Sequence, residues 1–182
     1  MLKNNHPPHT RTAAFDYPWP KEALHLVLVA PEIPPNTGNI ARLCAATETI
    51  LHLVEPLGFR LTDAAVRRAG LDYWDRVPLV RHPDFADLER TLPQRRFFLF
   101  SCGAPALYTS PAYRAGDVLV FGSESRGLPD ALLTAHAGRV LGIPMKPNGV
   151  RSLNLATAAG IVLYEALRQI AAGTTSPESA PP

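Results

Sequence analysis

Glycines 122 and 127 flank an acid and an arginine in the run FGSESRGLP, residues 121–129. The spacing is not that of a GxGxxG fingerprint, of a P-loop ending in Lys-Ser/Thr, or of a GxSxG nucleophile elbow. Gly122 would let a ligand lie close to backbone, Glu124 can accept hydrogen bonds, and Gly127 permits a turn with positive φ. A plain strand-to-helix turn needs no charged pair inside it, so the run is a candidate ligand loop.

A second run, IPMKPNGVRSLNLATAAG, begins at Ile143. Pro144, Pro147 and Gly149 shape a stiff loop that drops into a helix at Ser152 or Leu153. Such a loop can read an adenine edge through main-chain groups, with Ile143, Met145 and Leu153 as apolar walls. Ser152 is either the helix N-cap or a site residue. Asn154 is out of place in the first turn of an otherwise apolar helix, which points to a functional side chain.

The third run, EIPPNTGN, carries Asn36, Thr37, Gly38 and Asn39, with Arg42 one turn further on. Backbone N–H groups at a helix start beside an arginine suit a phosphate. Asn, Thr and Gly are also ordinary turn and cap residues; what sets the three runs apart is that they converge at one edge of a sheet.

That sheet is read from short apolar runs at 24–29, 50–54, 77–80, 97–100, 118–121 and 140–143, with helical periodicity at about 39–47, 62–69, 83–92, 129–137 and 153–171. Strands separated by helices imply crossover connections, hence an α/β fold with a mostly parallel sheet and helices on both faces. Ligands bind such sheets beyond the carboxyl ends of the strands, which here means the loops after Val29, Phe100, Phe121 and Ile143. Residues 1–20 are polar and Pro-rich and read as a flexible arm or extended surface strand; 21–172 read as one domain; 173–182 read as a disordered tail.

Composition agrees: 46% apolar and 19% charged residues exclude wholesale disorder, and the net charge of +2 is too small to argue for nucleic acid in bulk. Distribution says more. The basic residues are mostly Arg, several paired as Arg67-Arg68 and Arg95-Arg96, which suits phosphate forks. Cys44 and Cys102 lack zinc or disulfide spacing and read as buried small hydrophobes, and the histidines form no cluster in the sequence, so no metal is expected. No apolar run is long enough to span a membrane, and a cytoplasmic protein is expected.

The stretches EIPPNTGNIARLCAAT, RRAGLDYW, FGSESRGLP and IPMKPNGVRSLNLATAAGIVLYEALRQ resemble, in order and spacing, the SPOUT-class transfer RNA 2′-O-methyltransferases, nearest to those acting on the wobble nucleotide. The resemblance runs from Leu24 to Gln169. It implies a carboxyl-terminal trefoil knot, S-adenosylmethionine as cofactor with S-adenosylhomocysteine as product, tRNA as substrate, and a homodimer whose site is completed across the interface. It implies a cofactor pocket around Leu99, Gly122, Ile143 and Ser152, neighboured by Glu124, Met145, Leu153 and Asn154. The last helix fits a dimer, since its apolar positions cover more than one face, although burial within one subunit explains them as well.

The resemblance assigns activation of the ribose 2′-hydroxyl of cytidine or a modified uridine to Arg42, acting with a substrate phosphate. A free guanidinium has a pKa above about 12, so Arg42 is either a base with strong environmental help or an electrostatic stabiliser of the alkoxide. Ser152 and Asn154 would orient ribose or cofactor, and Tyr164 either reaches the site or packs. Asn36, Asn39, Arg67, Arg68, Arg126 and Arg151 are candidate RNA contacts. Two alternatives stay open: a non-catalytic RNA-binding module on the same fold, and a methyltransferase for another tRNA or rRNA position.

Overall fold

A computed structural model describes residues 16–61 and 77–174. Seven strands form one sheet in the order β3-β2-β1-β6-β4-β7-β5, with every pairing parallel. They are β1 (His25–Val29), β2 (Ile50–Val54), β3 (Leu79–His82), β4 (Phe97–Phe100), β5 (Ala106–Leu107), β6 (Val118–Phe121) and β7 (Val140–Gly142). The helices are α1 (Pro34–Thr47), α2 (Phe85–Thr91), α3 (Asp130–Ala135) and α4 (Leu155–Thr174).

Alternation along the strands makes two cores. Leu26, Leu28, Leu51, Leu53, Phe98, Leu119 and Phe121 face α1 and α4, while Val27, Val29, Val54, Leu99, Val118 and Val120 face Phe85 and Leu88 of α2 and Leu132 and Leu133 of α3. The near-continuous apolar strands are those of a sheet buried on both sides. Each fully buried leucine contributes about 2 kcal/mol relative to an exposed one.

Several expected boundaries move. α1 starts at Pro34, not near Asn39, because Pro34 and Pro35 lack the N–H groups that a first turn leaves unpaired and so open the helix rather than precede it. β3 begins two residues later than expected, and Ala106–Leu107 adds a seventh strand where an irregular segment was read. The expected helix at 62–69, with Arg67 and Arg68, lies outside the described residues, as do 1–15 and 175–182. Of the expected arm, Tyr17 packs against the core and meets Trp19 edge-on at 4.7 Å.

Packing bears on two sequence readings. The apolar positions of α4 lie mostly inside this subunit: Leu155, Ala159, Val162, Leu163, Ala166 and Leu167 are all buried against α1 and the sheet. Nor are Arg95 and Arg96 phosphate forks. Arg96 grips buried Asp117 with two hydrogen bonds, 2.8 and 2.6 Å, and Arg95 pairs with Glu22.

On the α2 side, three histidines cross three neighbouring strands. His25 Nδ1 lies 2.9 Å from His52 Nε2, His52 Nδ1 lies 2.9 Å from His82 Nε2, and His82 Nδ1 lies 2.9 Å from Asp87 Oδ2. Since the Asp87 carboxylate can only accept, each neutral ring donates from Nδ1 toward it and the chain is satisfied without added protons. Burial holds His25 down at about 4; burial, with the neighbouring His25 and His82, holds His52 down at about 3.

The unfolded chain therefore binds more protons than the folded one below the ordinary histidine value near 6.5, so stability rises with pH. The contribution is complete above about pH 6.5 and is lost as pH falls through about 4 and then about 3. Urea midpoints measured from pH 7.5 to pH 4 are expected to fall steadily below pH 6.5; a flat profile would exclude the buried neutral chain.

Candidate functional site

The carboxyl ends of β1, β6, β4 and β7 lie side by side in the middle of the sheet, and the loops leaving them enclose a cleft of about 730 Å³. The expected run after β6 supplies Gly122, Glu124, Arg126 and Gly127 to its lining, and the run after β7 supplies Ile143, Met145, Arg151, Ser152, Leu153 and Asn154. Asn36 enters from α1. The three loops selected by residue chemistry thus meet in one place.

Glu124 is not free to hold a ligand with its whole carboxylate. It accepts hydrogen bonds from Glu32 N at 2.8 Å, Ile33 N at 3.2 Å and Asn36 Nδ2 at 2.9 Å. The two N–H groups sit where α1 begins, where a negative charge is favoured by the helix dipole. This revises the phosphate reading: Asn36 N and Thr37 N point back to Ile33 O, and the anion at the helix start is the protein's own Glu124.

Asn36 is tied within the protein: it is buried, its Nδ2 donates to Glu124 and its Oδ1 accepts from Asn154 Nδ2 at 2.9 Å, so it braces the loops that line the cleft. Asn154 caps α4: its Oδ1 accepts from Ala156 N at 2.9 Å and Thr157 N at 3.3 Å. Its polarity in an apolar turn therefore has two causes, the cap and the bridge to Asn36. Ser152, freed of the capping role, is exposed on the cleft wall.

Gly122 and Gly127 differ in purpose. Gly127 has φ of 71°, and Ser123 and Gly127 exchange two hydrogen bonds of 3.1 and 2.9 Å that fold the loop back on itself. A Cβ on Gly122 would stand 2.0 Å from the Gly127 carbonyl carbon. Gly122 is needed first for loop-on-loop approach, and only then for space beside a ligand.

Leu99 does not line the cleft. It is fully buried in the second core, and the wall is built by the next residues, Phe100, Ser101 and Cys102. Cys102 is exposed there, contrary to its reading as a buried hydrophobe, while Cys44 is buried and its thiol is pushed far up by desolvation. Ile33 and Ser125 also line the cleft unanticipated; the serines were visible inside FGSESRGLP, but nothing in an isolated isoleucine marks a rim.

Arg42 and Asn39 share the solvent face of α1, with Arg42 outside the cleft lining. Arg126 and Arg151 are exposed at the rim. Tyr164 is 53% exposed on α4 and lines no part of the cleft. Among the described residues no group of His, Cys, Asp and Glu is arranged to hold a metal ion, and no helix is long and apolar enough to cross a membrane.

Known proteins similar to this chain share its fold. A tRNA (cytidine(34)-2′-O)-methyltransferase of Escherichia coli K12 is 50% identical over 149 residues, covering 81% of this chain and 94% of that protein. A solved structure described as giving insights into the 2-OH methylation of C/U34 on tRNA superposes with a TM-score of 0.77 at 50% identity, over 81% of this chain and 96% of its own. An AdoMet-bound rRNA methyltransferase from Sinorhizobium meliloti superposes with a TM-score of 0.72 at 27% identity, over 84% of this chain and 58% of its own. The SpoU rRNA Methylase family profile matches residues 23–164, and with that match over most of its length the chain belongs to this family.

Proposed function

We propose that this protein transfers a methyl group from S-adenosylmethionine to the ribose 2′-hydroxyl of the wobble nucleotide, cytidine or a modified uridine, in the anticodon loop of tRNA. The observation that carries it is the cleft itself: three loops at the carboxyl edge of a parallel sheet, pinned together by the Glu124–Asn36–Asn154 chain, in a molecule half identical to a tRNA enzyme of that specificity.

The cleft fits the cofactor on its own chemistry. Its volume lies within the roughly 300–1,000 Å³ usual for small-molecule sites, and Ile143, Met145, Leu153 and Phe100 make apolar walls beside the hydroxyls of Ser101, Ser123 and Ser152. When bound there, S-adenosylmethionine supplies an activated methyl group on a good leaving group. Phe100 and Phe121, stacked at 4.8 Å, add apolar surface to the cleft lining. Ser152 orients ribose or cofactor from the wall, Arg126 and Arg151 take backbone phosphates at the rim, and Asn39 and Arg42 meet RNA on the face of α1.

Arg42 lies outside its own subunit's cleft lining, which favours a homodimer in which the site is completed across the interface. Half-exposed Trp19 and Tyr164 are apolar surface for such an interface. A trefoil knot is supported by the position of β7, last of the strands in sequence, between β4 and β5. The catalytic unit spans 21–172, and the enzyme acts in the cytoplasm.

The test is to incubate the protein with methyl-labelled cofactor and undermodified tRNA and to locate the label by mass spectrometry. Label on the ribose of nucleotide 34 is expected, with S-adenosylhomocysteine released. Label at another position would reassign the substrate, and no label in any RNA would leave a binding module.

A further inference from the structure

Opposite the Glu124 contacts runs a second set in the reverse direction. Glu32 Oε2 accepts from Ser125 N at 3.0 Å, and Glu32 Oε1 accepts from Ser125 Oγ at 2.7 Å. Glu32 thus gives its own N–H to the carboxylate of Glu124 and takes, with its own carboxylate, the N–H next to Glu124. Two loops 93 residues apart in sequence are cross-fastened by two carboxylates, each holding main chain beside the other. Hydrogen bonds to ionised groups are the strong ones, and here they are paired in a reciprocal clasp.

The clasp does not stand alone. Gly58 N donates to Pro31 O at 2.9 Å, and a Cβ on Gly58 would meet Glu32 Cα at 2.9 Å, so the loop after β2 packs directly against the backbone of Glu32. From Glu124 the network continues through Asn36 to Asn154 and the first turn of α4. The first turn of α1 is therefore positioned by the loops after β2, β6 and β7, and Arg42 rides on that helix.

We propose that Glu32 is a positioning residue for methyl transfer: its carboxylate, crossed with that of Glu124 through Ser125, latches the start of α1 to the loop after β6 and so fixes the orientation in which α1 presents Arg42 to the site completed across the interface. The proposal rests on the function given above. Glu32 touches neither cofactor nor ribose in this role. A misplacement of about 1 Å of a reacting group can cost roughly 100-fold in rate, so a latch remote from the chemistry has a large lever.

Four proteins test it: wild type, Glu32→Gln, Glu32→Ala and Ser125→Ala. A glutamine can accept from Ser125 N and donate to Ser125 Oγ, so Glu32→Gln is expected to keep kcat within about three-fold of wild type. Glu32→Ala is expected to lower kcat by about 10- to 100-fold while the calorimetric Kd for S-adenosylmethionine and the KM for tRNA change little. Ser125→Ala, which loses one of the two bonds, should fall between them. An unchanged kcat in Glu32→Ala, or a loss that glutamine does not rescue, overturns the proposal.

Amide hydrogen exchange gives a readout that needs neither cofactor nor RNA. In Glu32→Ala, protection should be lost at Ser125 N–H and also at Ile33 N–H, whose acceptor is Glu124 and not Glu32. Loss confined to Ser125 would mean two independent contacts and no latch. If Glu32→Ala does not fold, Ser125→Ala carries the kinetic arm, and wild-type kcat there overturns the proposal. Should the wild-type protein methylate no RNA, the proposed function falls while the exchange measurement still decides whether the latch exists.

Discussion

Arg42→Ala is expected to lower the single-turnover rate of methyl transfer by about 10²- to 10⁴-fold, with the Kd for S-adenosylmethionine within about two-fold of wild type. The split follows from position. Arg42 lies on the exposed face of α1 and does not line the cleft, so its loss removes nothing from the proposed cofactor site of this subunit. On the proposed mechanism it removes a positive charge that stabilises a developing ribose alkoxide. That charge is the basis of the role proposed for it. Arg42→Lys separates stabilisation of the alkoxide by charge from positioning of a substrate phosphate by the planar fork. Lysine keeps the charge and loses the planar fork, so partial recovery is expected if the charge stabilises an alkoxide, and none if the fork positions a phosphate. Calorimetry with the cofactor and single-turnover assays on unmodified tRNA make the measurement; Arg42→Ala at the wild-type rate would remove this residue from the mechanism.

Strands were legible where apolar residues run without interruption between turn residues. HLVLV, FFLF and VLVF are buried on both faces, as the strands of a parallel sheet covered twice are. Helix starts were less legible. The NTGN of α1 has the composition of a turn, but Asn36, Thr37 and Gly38 are buried inside a helix opened by two prolines, and which of these two local signals wins is decided by Glu124, 88 residues beyond Asn36. Ala106–Leu107 gained its strand from β7, a partner that no local pattern reveals.

The same division holds at the site. That FGSESRGLP, IPMKPNGVRSLN and EIPPN converge could be read from strand order and loop chemistry. How their polar atoms are used could not. Glu124 and Asn36 were read as ligand groups because an acid and an amide in a loop ordinarily face outward; both are instead bonded within the protein, in contacts that exist only when three distant loops are adjacent. Histidines 25, 52 and 82 form no cluster in sequence, and only the strand order β3-β2-β1 brings their rings within 2.9 Å.

Gly122→Val is expected to act on the fold of the cleft and not merely on its free space. A Cβ at this position would lie 2.0 Å from Gly127 C, 2.2 Å from Leu128 N and 2.3 Å from Gly127 O, all main-chain atoms that no rotamer change can move away. Relief requires opening the Ser123–Gly127 pairing and withdrawing Leu128, which is buried in the second core. With Ser123 and Ser125 displaced, Glu32 and Glu124 lose their crossed contacts as well. A cost of roughly 3 kcal/mol or more is expected, read as a fall in Tm of about 6–12 °C for a chain of this size. Cofactor binding should disappear with it. Gly122→Ala should show most of the same loss, because the clash begins at Cβ. Gly103→Ala, where an added Cβ meets nothing within 4 Å, should leave stability almost unchanged and serves as the control. If Gly122→Val kept wild-type Tm and lost only cofactor affinity, Gly122 would face the ligand and not the neighbouring turn; if it kept both, the cleft after β6 would not be the cofactor site.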